Sequence, residues 1–352
     1  MVISQHTRDD DTLGEMARTL RSALEAPMLL DSGRSVHLNA SIGIARFPDD
    51  GDTATTLIQH ADAAMFHSKQ DEREMWSFYR AELTRAASER LELEGRLREA
   101  LAAGTGELHV EFQPQMRLSD GQPTGVECLS RWATPDGEGI TPDRFIPVAE
   151  ATGLIVPLGE RILREACERG VQMLEQVRGD LVVAVNLSPV QLRDPQLVRR
   201  VGEILEETGF PAERLELEVT ESAIMIQGDQ AVSRLQALKT LGVRLAIDDF
   251  GTGYSSLAAL QNFPLDVLKI DRSFVEQVDH EGQGRWIAAT IIAMARNLHL
   301  EVIAEGIETR AQANWLRSQG CDEGQGFLYS PALPADEVLV WLRRHEHRAA
   351  AG

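Results

Sequence analysis

Cysteine, long apolar runs and positive charge are all scarce in this chain of 352 residues. Its three cysteines, Cys128, Cys167 and Cys321, lie far apart without a CxxC spacing. That points away from structural zinc and towards a reduced, cytoplasmic setting. No segment approaches the roughly 20 apolar residues of a membrane span. The longest candidate, WIAATIIAMA from Trp286, is short and bounded by charge. No basic region followed by an apolar stretch opens the chain, so no secretory signal is expected. Nine histidines include no HxxxH pair, and His345 and His347 fall in a charged tail that reads as solvated. Lysine and arginine number 35 against 55 acids, a formal net charge of −20. Such an excess disfavours a nucleic-acid polymer or an anionic membrane as partner. An anionic ligand would need local cations or metal ions to offset that field.

What is present is ordinary for a globular chain, with 43% hydrophobic and 26% charged residues. The length allows two domains, or one large barrel with an attachment. Residues 1–80 read as helix, hairpin, helix. Thr12 to Leu24 has helical spacing, Ser35 to Pro48 alternates like strands, and TATTLIQHADAAMFHSKQ returns to helical spacing. Residues 81–104, rich in Glu, Arg, Leu and Ala, read as a connector helix closed by Gly104 and Gly106. The domain boundary is placed there, followed by a barrel over 105–346 and a tail over 347–352.

From Leu108 onward, short apolar runs alternate with helical patterns. The runs are HVEFQPQ, TGVECLSRW, LVVAVNLS, RLELEVTES, VRLAIDDF, DVLKID, EVIAEG and GQGFLYS. Uniformly apolar strands joined by helices indicate a covered parallel sheet, and eight units in about 240 residues fit a (β/α)8 barrel. An open doubly wound sheet should carry a Gly-rich phosphate loop after its first strand, and none is there. Nearly every run ends in a polar residue: Glu127, Asn186, Glu218, Asp248 with Asp249, Lys269, Glu305 and Gln325. The gaps from Asn186 to Glu218 and on to Asp248 are 32 and 30 residues, close to one strand-helix-strand repeat. Such spacing converges these groups on one barrel mouth, where catalytic residues of this architecture arise.

Oxygen ligands without His or Cys select Mg2+, Mn2+ or Ca2+. Five acids exceed what one divalent ion balances, so two metals sharing a bridging aspartate are expected, roughly 3.5–4 Å apart. Lys269 fits as a point charge at a phosphorane-like transition state, and Arg131 as a two-pronged phosphate clamp. Asp248 and Asp249 are adjacent, yet neighbouring strand residues point to opposite faces, so both reach the metals only if the backbone bends. Gly251 and Gly253 permit such a bend. Asp249-Phe250-Gly251 lacks the lysine strand and HRD loop of a kinase, and GTG lacks the spacing of a dinucleotide loop.

The motifs FQP, ECLSRW, FIPVAEATGLI, VNLSP, ELEVTES, DDFGTGYSSL, LKIDRSFV, AEGIET and QGFLYS follow one another in order. Together they make Leu108 to Arg344 closely resemble the EAL domain of bacterial cyclic di-GMP phosphodiesterases. The resemblance implies a modified TIM barrel with an antiparallel first strand, and hydrolysis of cyclic di-GMP to linear 5′-pGpG with Mg2+ or Mn2+. By position it implies metal ligands at Glu127, Asn186, Glu218, Asp248, Asp249 and Glu305. Lys269 falls at the catalytic lysine and Gln325 at the glutamine that helps hold the attacking water. Gln113, Ser130, Arg131 and Glu308 fall at substrate contacts, and Asp271 and Glu221 at supporting positions. Glu221 is expected to pin the loop after the paired aspartates. Ca2+ is expected to inhibit through its looser coordination, and the barrel to form a homodimer. Cys128 replaces the central alanine of the signature, Ser130 a usual apolar residue, and SPAL (Ser330 to Leu333) a common Arg/Lys-Pro pair.

ASIGIARFPDDGDTATTLIQHADAAMFHSK resembles the second half of a GGDEF diguanylate cyclase domain. Its signature turn and acidic ligands are missing, so this α+β remnant is expected not to cyclise GTP and to pack on the connector helix, the barrel or another subunit. Two other functions compete with the phosphodiesterase: a catalytically idle cyclic di-GMP receptor, and a signalling scaffold.

Overall fold

The computed structural model describes residues 2–3, 9–25, 28–29, 35–36, 40–70, 76–104, 106–137, 139–177, 181–227, 229–251, 260–279 and 283–349. Gly253 therefore lies outside the described residues. The chain divides into two compact units, Met1–Gly95 and Arg96–Gly352.

The first unit contains α1 (Asp10–Glu25), β1 (Met28–Leu29), β2 (Ser35–Val36), β3 (Ile42–Ile44), α2 (Ala54–Gln70), β4 (Trp76–Phe78) and the start of α3 (Ala81–Ala103). The hairpin expected within 35–48 is not what β3 makes. It pairs in parallel with β4 across α2, from Ile42↔Trp76 to Ile44↔Phe78. A parallel pair needs a crossover, and α2 supplies it. Three-residue β4 is too short for its periodicity to show in the sequence. Gly43 lets the helix close on this pair, since a Cβ there would lie 1.9 Å from the Ala61 carbonyl oxygen. Arg90 of α3 stacks over Phe66 of α2 at 4.4 Å. Among the described residues before α3, the buried apolar side chains are Ala17 and Ala64, while Phe47 and Ile58 are exposed.

The second unit is a closed barrel. Its strands are β5 (Leu108–Arg117), β6 (Pro123–Ala133), β8 (Val182–Asn186), β9 (Leu215–Thr220), β10 (Arg244–Phe250), β11 (Val267–Ile270), β12 (Glu301–Ala304) and β13 (Glu323–Gly324). Two-residue β7 (Gly139–Ile140) and β14 (Leu333–Pro334) add to its margins. Neighbours from β6 round to β13 run parallel, whereas β5 is antiparallel to both β6 and β13 and closes the ring. The first strand is thus reversed, as the resemblance implies. GQGFLYS is the apolar run that contributes least to the barrel, with only Gly324 lying in β13. Gly326 has φ +154°, and a Cβ there would lie 2.2 Å from the Ile307 backbone. The chain turns against that segment, leaving β13 two residues long.

Strand alternation sorts the barrel into two cores. Outward residues such as Phe112, Cys128, Val183, Leu217, Ile247 and Leu268 join the apolar layer beneath the helices. Inward Ala246, Val267 and Ile303 form a small separate cluster. Each stands two residues before a polar strand-end group, Asp248, Lys269 and Glu305, so an apolar floor underlies a polar mouth. At the opposite ends of the strands, Arg244 lies 3.1 Å from Glu216 and also pairs with Glu301. Near them Thr124 donates to Glu323 at 2.8 Å.

Trp132 shows the strength of the outer layer. It is 1% exposed and meets Phe145 edge to face, with ring centroids 5.7 Å apart. Its face is opposite that of Arg131, so the two do not stack. Trp132→Ala should cost about 3–5 kcal/mol, seen as a lower urea midpoint; an unchanged midpoint would show that the ring carries little of the packing.

Candidate active site

The polar strand ends meet around one ammonium. Lys269 ends the apolar run of β11, is fully buried, and lies 2.7 Å from Glu218 Oε2 and 2.6 Å from Glu305 Oε1. Glu127 and Asp248 each approach its Nζ to 3.6 Å. Asn186 Nδ2 donates to Glu127 Oε1 at 2.8 Å, and Gln325 donates to the other oxygen of Glu127. Gln115 then donates to Gln325 Oε1 at 3.1 Å. Gly125 makes room for Gln115, because a Cβ there would lie 2.6 Å from the Gln115 amide oxygen. Six strands thereby contribute to one cluster of ion pairs and hydrogen bonds.

The paired aspartates depend on a break in the ladder. Between β10 and β11 the register runs Ile247↔Leu268 and then Phe250↔Ile270, so one extra residue bulges from β10. Asp249 takes φ +55°, a conformation rare for a residue with a Cβ. Its N–H donates to Asp248 Oδ1 at 2.9 Å. One carboxylate oxygen each from Asp248, Asp249 and Glu305 lies within 4.8 Å of the others. The turn that follows is tied down by Glu221, which is 1% exposed and accepts the Gly251 N–H at 2.8 Å. Bulges next to functional sites re-aim side chains, and here one bulge turns two successive side chains to the mouth.

The donor set fits a hard divalent cation. Glu218 Oε1 is buried without a hydrogen-bond partner, although its other oxygen is bound to Lys269. A buried unpaired carboxylate oxygen is costly, and a metal ion at the mouth would satisfy it. Electrostatics agree. Burial alone would lower the Lys269 pKa, but Asp248, Glu127, Glu218 and Glu305 hold the ammonium well above its usual value. Burial pushes Glu218 well above the carboxylate range, Lys269 offsetting it only in part. Burial, with Asp248 and Glu127 beside it, raises Glu305 to about 8 despite Lys269. Burial and then Asp248 raise Asp249 to about 6. Glu127 also meets the burial cost, yet Lys269 and the Gln325 and Asn186 amides hold it below its ordinary value. Without a metal, the cluster therefore keeps protons that an ordinary carboxylate would release.

An open cleft of about 670 Å3 lies over this cluster, lined by Gln113, Glu127, Leu129, Asp248, Arg272, Glu305, Gly306, Glu308, Gln325, Gly326 and Phe327. The structure thus brings Gln113 and Glu308 to the cleft wall. Gln113 Nε2 donates to the Ser330 carbonyl at 3.1 Å, in the SPAL segment. Arg131 shares the inward face of β6 with Glu127 and Leu129, but it pairs with Glu111 at 2.7 Å and does not line the cleft. Ser130 is not brought to the site: it pairs with Val110 in the ladder and turns outward with Cys128, because side chains alternate. Asp271 caps the short helix after β11, accepting from the Ser273 N–H at 3.0 Å. Leu129, Arg272, Gly306 and Phe327 are cleft residues that the sequence did not single out. Arg272 alone carried a signal, a cation directly after the LKID run.

Fold and site together define a (β/α)8 barrel with a reversed first strand and a divalent-metal donor set at its mouth. The sequence profile of the EAL domain matches residues 94–332, and that of the diguanylate cyclase GGDEF domain matches residues 1–75. This chain belongs to the EAL domain family. It is 41% identical over 337 residues to the cyclic di-GMP phosphodiesterase NbdA of Pseudomonas aeruginosa, covering 95% of this chain and 42% of that protein. It is 39% identical over 339 residues to the bifunctional diguanylate cyclase/cyclic di-GMP phosphodiesterase MucR of the same organism, covering 96% and 49%. The chain therefore spans under half the length of these curated relatives. A solved structure described as the PaMucR phosphodiesterase in complex with c-di-GMP is 41% identical. It covers 70% of this chain and 99% of that one, with a TM-score of 0.67.

Carboxylates raised on folding stabilise the metal-free fold while protonated. That contribution fades as pH climbs through about 6 for Asp249 and about 8 for Glu305. Metal binding needs the ionised forms and displaces the protons. Mn2+ at a hundredfold excess over its dissociation constant should stabilise the protein by about 2.7 kcal/mol. At a fixed Mn2+ concentration the rise in melting temperature should be larger at pH 8.5 than at pH 6. Glu218→Ala should remove most of it; a rise independent of pH would contradict the charge assignment.

Proposed function

We propose that this chain hydrolyses one phosphodiester of cyclic di-GMP to linear 5′-pGpG, with Mg2+ or Mn2+ as the two metals of the site. The observation that carries the reading is the fully buried Lys269 among four carboxylates, with Glu218 Oε1 left unpartnered beside it. Glu127, Asn186, Glu218, Asp248, Asp249 and Glu305 would hold the ions, with Asp248 as the bridging carboxylate. Bound there, divalent ions supply a more acidic water and neutralise charge on the phosphoryl oxygens.

The protein's own residues do the rest. Lys269 is held charged beneath the cleft, fully buried, and its positive charge favours the negative charge that grows on phosphorus. Gln325 is fixed at both ends of its amide by Glu127 and Gln115, so it can orient a water at a defined position. Glu221 acts at one remove: by holding the Gly251 N–H it sets the turn from which Asp249 reaches inward. Asp271 supports the helix that begins beside Lys269. Gln113 and Glu308 complete the substrate side of this reading at the cleft wall, whereas Arg131, paired with Glu111, stays outside the cleft lining; Ca2+ is read as an inhibitor. Three buried free thiols support a reducing, cytoplasmic setting. The net charge supports a small nucleotide in place of a nucleic-acid polymer. We read the barrel as the homodimer surface, with the GGDEF-like segment inactive as a cyclase.

Incubating the purified chain with cyclic di-GMP and Mn2+ or Mg2+ should give pGpG by chromatography. Lys269→Ala should lower turnover at least about 10²–10³-fold while cyclic di-GMP still binds. Glu221→Ala should lower activity about 10- to 100-fold through the turn, with Glu218 and Lys269 intact. Binding by the wild-type chain without any pGpG would favour the receptor reading over the enzyme.

A further inference from the structure

The cleft is acidic on almost every side. Among the described residues that line it, four carboxylates face one cation, Arg272. Lys269 lies beneath the cleft wall, fully buried and saturated by its own carboxylates. Arg131 is engaged by Glu111 and by the Ser130 carbonyl. A cyclic dinucleotide carries two phosphates in one ring. When one lies at the metal donors, the other must sit farther out, where a chain of net charge −20 would repel it unless a cation is close.

Arg272 is built to be that cation. It follows Asp271 at the start of the short helix after β11, three residues from Lys269. Its stem crosses the backbone of Gly306, the residue immediately after Glu305. Gly306 has φ +67°, and a Cβ there would lie 2.4 Å from Arg272 Cγ and 2.9 Å from Cδ. Only glycine leaves this groove open, so the stem is led along the end of β12 to the cleft rim. There Nε lies 2.5 Å from Glu276 Oε1 and Nη2 lies 3.0 Å from Glu308 Oε1. Nε and Nη2 form one edge of the guanidinium, the edge that grips a planar or tetrahedral oxyanion with two parallel hydrogen bonds. Two separate carboxylates now occupy it. Arg272, Glu276 and Glu308 are each about half exposed, 54%, 49% and 44%. Exposed pairs of this kind are weak, so an arriving dianionic ligand displaces them easily.

We propose that Arg272 binds the second, uncleaved phosphate of the cyclic dinucleotide, exchanging Glu308 and Glu276 for phosphate oxygens as substrate enters. This rests on the phosphodiesterase reading above. It makes Arg272 a determinant of selectivity for cyclic over singly bridged dinucleotides, with no part in the bond-breaking step.

The test compares cyclic di-GMP with linear GpG, which carries the same two guanines but one phosphodiester and no second phosphate. Wild type, Arg272→Ala and Arg272→Lys are assayed as the full Mn2+-loaded chain. Arg272→Ala should raise the KM for cyclic di-GMP about 10- to 100-fold, the loss of a charged hydrogen-bonded pair. Its kcat should stay within about threefold, as for an interaction made equally in ground and transition states. The inhibition constant of GpG, competing with cyclic di-GMP, should be unchanged. Arg272→Lys, which keeps the charge but loses the fork, should give an intermediate KM. An unchanged KM in Arg272→Ala overturns the assignment. So does an equal rise in the GpG inhibition constant, which would place Arg272 on a guanine or on the cleaved phosphate. A wild-type chain that neither binds nor cleaves cyclic di-GMP overturns the phosphodiesterase reading, and the role of Arg272 with it.

Discussion

One buried ammonium allows the acidic mouth to exist. Lys269 is fully enclosed, with Glu218 and Glu305 in contact and Glu127 and Asp248 one step farther. Taking these charges from water costs several kcal/mol per ion, and only close, multiple pairing offsets it. Four carboxylates against one lysine still leave an excess of negative charge, and burial raises Glu218 and Glu305 so that they keep protons an exposed carboxylate would lose. Divalent ions can take the place of those protons. Stability of the fold and the proposed affinity for metal would therefore answer to one electrostatic constraint.

Geometry turns that constraint into a site. A period of two along each strand brings Glu127, Asn186, Glu218, Asp248 and Lys269 to one face, above the small apolar plug of Ala246, Val267 and Ile303. Regular alternation would send Asp249 outward. The bulge in β10 and the left-handed backbone at Asp249 overrule it, and Glu221 secures the turn at Gly251. A residue buried on the neighbouring strand's exit thus sets the backbone from which a candidate metal ligand projects. That arrangement links the conformation of the turn to the donor set.

Much of this was legible in the sequence, because barrel strands end where their apolar runs end and each run ends in a chemically distinctive residue. The reversed first strand came only through family resemblance; nothing in the alternation of Leu108–Arg117 gives its direction. Ser130 was misplaced because a motif position does not state which face of the strand it occupies. Its ladder partner Val110 does, and that pairing is a long-range fact. Arg272 escaped notice because its role depends on Gly306, far along the chain, whose missing Cβ makes the groove for its stem. The parallel pairing of Ile42–Ile44 with Trp76–Phe78 was hidden for a related reason: three residues carry no readable period.

The carboxylates around Lys269 are proposed to hold two metal ions. Anomalous diffraction from crystals grown with Mn2+ tests this most directly. The account predicts two peaks roughly 3.5–4 Å apart, bridged by Asp248, with Glu218 Oε1 a ligand to one of them. A single peak, or two peaks that leave Glu218 Oε1 unliganded, would contradict it.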